Sequence, residues 1–164
     1  MIKMLRIDER LIHGQVAMVW SKALGIKRIL VANDKAANNY LQTISMKLAV
    51  PSNIRFDLQN LSKSIKFLDS PKSESQVIMV VVENFKDALS IAQNVPKIDV
   101  INIGNYGLLS VNKHNNKQKQ LDTCVKVDDI DLEYIKQIIK LPFQFVSQLT
   151  PNSSKKDIKK MKIN

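Results

Sequence analysis

Residues 76–82 read Gln-Val-Ile-Met-Val-Val-Val, six consecutive apolar side chains of which five are β-branched. A strand with one wet face alternates apolar and polar residues, because successive side chains point to opposite faces. An unbroken run instead needs cover on both faces, and helices supply it in a parallel sheet. The same demand recurs in "KRILVAND" at 27–34, where Ile29 to Ala32 are continuous, and "IDVINIG" at 98–104 reads as a further strand ending at a glycine.

The segments between these runs have the period of helices. "QVAMVWSKAL" (15–24) repeats apolar residues at 16, 19, 20 and 23 or 24, and Gly25 suits the helix end. "KAANNYLQTISMKLAV" (35–50) reads as one helix stopped by Pro51. "LSKSIKFLDS", "NFKDALSIAQNV" and "DLEYIKQIIKL" are further helices. "MIKMLRI" at the start, "NIRFDLQ" (53–59) and "PFQFVSQL" (142–149) complete the strands. Strand and helix in alternation predict an α/β fold with right-handed crossovers. The expected architecture is a three-layer open twisted sheet, mostly parallel with one antiparallel strand, and helices on both faces. Residues 105–127 interrupt the pattern with two strand-like pieces, "GLLSV" and "TCVKV", around a polar loop. They predict an antiparallel excursion or an ordered loop. No repeat or linker divides the chain, so one domain over 1–164 is expected.

Charge narrows the partners. The net charge of +10 favours anions, but +4 of it lies in the last ten residues, "KKDIKKMKIN", and the rest is scattered. Aromatics make up 5% of the chain, and no interleaved basic and aromatic surface is visible, which argues against nucleic acid. The terminal lysines read as a solvated helix face, with docking near anionic lipid as the weaker reading. No apolar run approaches the ~20 residues of a membrane span. The first ten residues turn charged before a signal-peptide core can develop. One cysteine, Cys124, excludes an internal disulfide and reads as a small core residue. A cytoplasmic location is expected.

"RIDERLIHGQV" (6–16) follows the first strand and leads into the first helix. In open α/β sheets, ligands gather beyond the carboxyl ends of the strands. A helix N-terminus there offers free N–H groups and a positive dipole end to a phosphate. The dipole disfavours imidazolium, and neutral imidazole is a competent nucleophile. His13 could therefore carry a phosphoryl group whose oxygens Arg6 and Arg10 hold. The plainer reading makes His13 a loop histidine and pairs Arg6 and Arg10 with Asp8 and Glu9. A Walker-type loop, CxxC and HExxH are all absent from the sequence, so nucleotide binding and metal hydrolysis lack a signal.

The segment resembles the signature of the IIB component of the mannose/fructose/sorbose family of the bacterial sugar phosphotransferase system. That family typically reads Arg-Ile-Asp-Asp-Arg-Leu-Ile-His-Gly-Gln-Val, followed by a helix with a tryptophan. Here Glu9 alone departs and Trp20 is present. "ILVAND", "VINIGNYG" and "VSQLTPNSSK" extend the resemblance over nearly the whole chain. It implies that His13 is phosphorylated on Nδ1 by a phosphohistidine of a IIA partner. It implies transfer of that group to a sugar crossing the membrane through IIC and IID partners. Arg6 and Arg10 would neutralise the phosphoryl oxygens. Gly14 and Gln15 would offer backbone N–H groups. No metal or cofactor is implied, since the donor is already activated. No IIA domain precedes residue 1, so the IIA partner is expected on a separate chain, and this protein is expected to associate peripherally with the membrane permease. A homo-oligomer stays open.

Two departures from the family pattern stand at the expected site rim, which comprises Asp8, Asp34 and Asn105. The usual paired aspartates after the second strand are Asn33-Asp34, and consecutive glycines after the fifth strand are Gly104-Asn105 followed by Tyr106. Tyr106 could therefore alter the rim. These changes keep a second reading open, a phosphorylatable regulatory module without sugar turnover. His114 reads as a solvated loop residue. Trp20, Tyr40, Tyr134 and Met18, Met46, Met79 and Met161 read as packing.

Overall fold

The computed structural model describes residues 1–109 and 117–163. Ile78 to Val82 form an interior strand of a seven-stranded sheet, as the unbroken run requires. The strands are β1 (Ile2–Ile7), β2 (Arg28–Ala32), β3 (Arg55–Gln59), β4 (Ile78–Val82), β5 (Val100–Ile103), β8 (Gln144–Ser147) and β9 (Lys156–Asp157), in the order β3-β2-β4-β1-β5-β8-β9. All pairs are parallel except β8 with β9. A separate antiparallel pair, β6 (Lys119–Asp122) and β7 (Val125–Val127), forms the excursion after β5.

Among the described residues, six α-helices cover the sheet: α1 (Val16–Leu24), α2 (Asp34–Ala37), α3 (Tyr40–Ala49), α4 (Leu61–Leu68), α5 (Phe85–Asn94) and α6 (Asp129–Ile139). The period-2 pleat sorts the β4 run between them. Met79 and Val81 pack with Ala17 and Trp20 of α1, Ala36 of α2 and Met46 of α3. Ile78, Val80 and Val82 pack with Leu68, Phe85, Leu89, Leu132 and Ile135 from α4, α5 and α6. This is the expected three-layer α/β sheet with helices on both faces. Among the described residues, no helix is long and apolar enough to cross a membrane.

Several expectations are corrected. The helix over 35–50 is two helices, because Asn39 leaves the helical region and its side chain caps α3 by accepting from Gln42 N at 3.0 Å. The lysine tail is not a helix face: Lys156 lies on β9, and a single 3₁₀ turn spans Ile158–Lys160. "GLLSV" supplies no strand over 107–109, and the partner of β7 is 119–122. Cys124 is half-buried in the turn between β6 and β7 rather than in the core. Tyr40 and Met18 face solvent, whereas Trp20, Met46 and Met79 are core as expected. His114 lies outside the described residues.

Candidate functional site

β1 leads leftward in the sheet to β2, while its neighbour β5 leads rightward to β8. The connection after β1 crosses the face of α1, and the one after β5 reaches α6 on the other face. Their carboxyl ends therefore splay apart and leave a crevice, the place where such sheets bind ligands. Asp8 N still donates to Val82 O at 2.9 Å, and Glu9 N donates to Asn105 O at 2.9 Å, so the loop after β1 is pinned to both neighbours.

The loop then curls back. Leu11, buried, has φ of 55° and donates from its N to Asp8 O at 2.9 Å. A left-handed non-glycine residue costs roughly 1–2 kcal/mol, a strain the buried side chain must offset. Gly14 takes φ of 49° two residues before α1 begins. These two turns throw His13 back over the end of β1. Gln15 makes no side-chain cap at the start of α1, so the first-turn N–H groups are not satisfied by one.

Asp8 is the hub. It is fully buried, and its Oδ2 lies 3.2 Å from Arg6 Nη2, 3.2 Å from Asn105 Nδ2 and 3.3 Å from His13 Nε2. Its Oδ1 accepts from Arg10 N at 3.0 Å. Burial alone would push this carboxyl up. The His13 hydrogen bond, the Arg6 charge and the Arg10 N–H outweigh it and hold the group below its ordinary value. An ionised carboxylate only accepts, so Nε2 of His13 carries the hydrogen, and in the neutral ring Nδ1 carries the lone pair. Among the described residues, Nδ1 has no partner.

The two arginines differ. Arg6 is buried at 1% exposure, with Nη1 donating to Asn102 Oδ1 and to Gln148 O, both at 3.4 Å, and Nη2 donating also to Leu149 O at 3.2 Å. Its guanidinium carbon lies 5.7 Å over the Trp20 ring, whose Nε1 donates to the same Leu149 O at 3.1 Å. Arg6 thus locks Asp8, the β5 end and the C-terminal segment together. Gly104 makes this possible: a Cβ there would overlap the guanidinium and stand 2.9 Å from Asp8 Oδ2. Arg10 is exposed, and its guanidinium has no partner among the described residues.

Arg6, Asp8, Arg10, His13, Gly14, Gln15 and Asn105 therefore meet at one edge. Asp34 does not join them. Its Oδ1 accepts from Leu61 N at 2.8 Å, and it borders a separate cavity with Asn38, Asn60 and Ser90. Asn33 caps α2 through Ala36 N at 2.8 Å, a task that a single side-chain oxygen performs. Tyr106 does not alter the rim. It is buried, packs edge-on against Phe85 at 4.5 Å and donates from its hydroxyl to Asp131 Oδ1 at 2.6 Å. The rim beside Asn105 is instead Leu108 and Leu109, whose N–H groups donate to Glu9 Oε2 at 2.8 and 3.0 Å. Asn102, Gln148, Leu149 and the second role of Trp20 are missed by sequence reasoning. Asn102, a polar residue inside the apolar run of β5, is the one that carried a visible signal.

A family model described as "PTS system sorbose subfamily IIB component" matches residues 2–164. A Streptococcus pyogenes protein named "probable phosphotransferase enzyme IIB component" is 33% identical over 156 residues, 94% of this chain and 95% of that one. The mannose-specific EIIAB component of Escherichia coli K12 is 28% identical over 137 residues, 84% of this chain and 41% of that longer protein. Among solved structures, the IIBSor domain of the sorbose permease from Klebsiella pneumoniae aligns with a TM-score of 0.84 at 25% identity, covering 96% and 94% of the two chains.

Proposed function

Because the chain belongs to the sorbose subfamily of phosphotransferase-system IIB components, we propose that it is a phosphocarrier working through His13. It takes a phosphoryl group from a phosphohistidine of a IIA protein and gives it to a hexose entering through membrane IIC and IID components. It acts in the cytoplasm at the permease, as a single domain. The observation that supports this reading best is the Asp8–His13 pair at 3.3 Å, with the carboxylate on Nε2 and the lone pair left on Nδ1.

In the first transfer, the Nδ1 lone pair attacks phosphorus and the P–N bond of the donor breaks, its electron pair returning to the donor ring. The His13 ring gains positive charge as the new P–N bond forms. Asp8 faces that charge through the Nε2–H and is preorganised, since Arg6 and Asn105 already fix its oxygen. In the second transfer, a sugar hydroxyl oxygen attacks phosphorus, the P–Nδ1 bond breaks and the hydroxyl proton is released. Arg10, exposed and without a partner among the described residues, and the α1 N-terminus attract the phosphoryl oxygens. Arg6 acts one step back, by positioning Asp8. The joined name EIIAB of the Escherichia coli relative supports a IIA donor.

The test is incubation with phosphoenolpyruvate, the general phosphotransferase proteins and a cognate IIA. One acid-labile phosphate per chain is expected, and none on His13→Ala. Full labelling of that variant overturns the assignment. The regulatory reading rests on Asn33 and the 105–107 loop. Both have structural tasks here, and His13-dependent sugar phosphorylation in membranes holding IIC and IID would exclude it.

A further inference from the structure

Helix α3 turns its apolar side the wrong way for a helix that serves only the core. Its sole fully buried residue is Met46. Tyr40 is 77% exposed, Leu41 77%, Ile44 38% and Leu48 82%. Positions 41, 44 and 48, with 40 and 44 one turn apart, form one continuous stripe on the helix surface. Scattered apolar residues need no explanation, but a stripe of four on one short helix marks an interaction surface. Three exposed cations, Lys35, Lys47 and Arg55, lie along residues 35–56, between the acids Asp34 and Asp57.

We propose that α3 is a membrane-docking helix that lays this stripe into an anionic lipid surface. An interfacial helix pairs an apolar face with flanking cations, which is the arrangement here. The net charge of +10 adds long-range attraction to anionic headgroups and opposes stacking of a second copy on the same face. α3 lies in the same layer as α1, over the β3 edge of the sheet. Helices in a parallel sheet run opposite to the strands, so Tyr40 and Leu41 sit toward the His13 edge. Docking there would hold the phosphoryl-transfer edge close to the bilayer without covering it. The inference stands on the surface of α3 and is independent of the phosphocarrier reading.

The experiment is flotation of the full chain with vesicles of equal parts phosphatidylglycerol and phosphatidylcholine, and with phosphatidylcholine alone. The chain should float with the anionic vesicles, less so as salt rises. The Leu41→Ser, Leu48→Ser double variant should lose about tenfold in partitioning, with its unfolding curve and its labelling on His13 in solution unchanged. No flotation of the wild type overturns the proposal. So does equal flotation of the double variant, with loss in a Lys155→Gln, Lys159→Gln, Lys160→Gln variant placing the contact in the tail. Concentration-dependent dimerisation that the double variant abolishes would make a second copy the occupant, and also overturns it.

Discussion

His13 Nε2 and Asp8 Oδ2 stand 3.3 Å apart, and the same oxygen lies 3.2 Å from Arg6 Nη2 and from Asn105 Nδ2. One buried carboxylate thereby fixes the tautomer and orientation of the ring, and it is also the counter-charge of a buried arginine. Its loss should be felt twice. Asp8→Asn leaves Arg6 without a carboxylate partner, which should cost about 3 kcal/mol in urea unfolding at pH 7. It should also slow phosphoryl uptake by about 10²-fold or more, because an amide neither faces a cationic ring as well nor specifies the tautomer. The acid limb carries a sign. Asp8 is held below its unfolded value near 4, so its contribution is complete above about pH 4 and fades as pH falls further. A variant as stable as the wild type at pH 7 would contradict the hub role.

The arginines should separate cleanly. Arg10→Ala removes an exposed side chain with no partner among the described residues, so stability should change by less than about 0.5 kcal/mol while phosphorylation slows at least about tenfold. Arg6→Ala should destabilise by about 3 kcal/mol or more, because Asp8 loses its buried counter-charge and Asn102, Gln148 O and Leu149 O each lose a donor. Paired unfolding curves and single-turnover labelling read both quantities. Equal destabilisation by the two substitutions would mean that Arg6 is not the buried clasp.

How much of this was legible in the sequence follows from where each signal is stored. The β4 run encodes two covered faces by itself, so the sheet and its layers could be read without coordinates. "RIDERLIHGQV" encodes a site because its residues are close in sequence. The partners of Arg6 are not: Asn102, Gln148 and Leu149 come from strand ends about a hundred and more positions away, and two of them act through backbone carbonyls that any residue supplies. Tyr106 looked like a rim residue because it follows Gly104-Asn105. The bridge to Val125 and the bond to Asp131 turn it inward, and neither is local. The α2–α3 break was local, however: Asn39 is a good cap, and the helical period masked it.

Gly104 has a role that backbone conformation does not explain. Its missing Cβ is the space that the Arg6 guanidinium occupies. Gly104→Ala should therefore destabilise by about 2–3 kcal/mol, as overpacking against a buried, multiply bonded group does. Asp8 would be displaced with it, so labelling of His13 should slow in the same variant. In an Arg6→Ala background the clash with the guanidinium is gone and Asp8 Oδ2 is the close neighbour that remains, so the Gly104→Ala cost should shrink to about 1 kcal/mol or less. Additive costs in that double-mutant cycle would show that the strain lies elsewhere.

Asp87 supplies a pH signature distinct from that of the site. It lies in the first turn of α5, where burial, and then the nearby charges of Asp34 and Glu83, push its carboxyl up to about 6. The sign is opposite to that of Asp8. The folded state holds this proton more tightly than the unfolded chain, so stability is lost as pH rises from about 4 through about 6. Asp87→Asn removes the repelled charge and keeps the shape. At pH 8 the variant should be more stable than the wild type by about 1 kcal/mol, a value reduced for the partial exposure of the group. Below about pH 4 the carboxyl is neutral in the folded and the unfolded chain alike, and the advantage should vanish. The α5 dipole favours a negative charge in its first turn and opposes this gain, which keeps it small. Urea unfolding of both proteins at the two pH values measures the balance, and a less stable variant at pH 8 would mean that the dipole outweighs Asp34 and Glu83. Asp131, also pushed up to about 6, is unsuited to the same test. Its carboxylate accepts from Tyr106 and from Asp128 N, so substitution there would break the α6 capping box along with the charge.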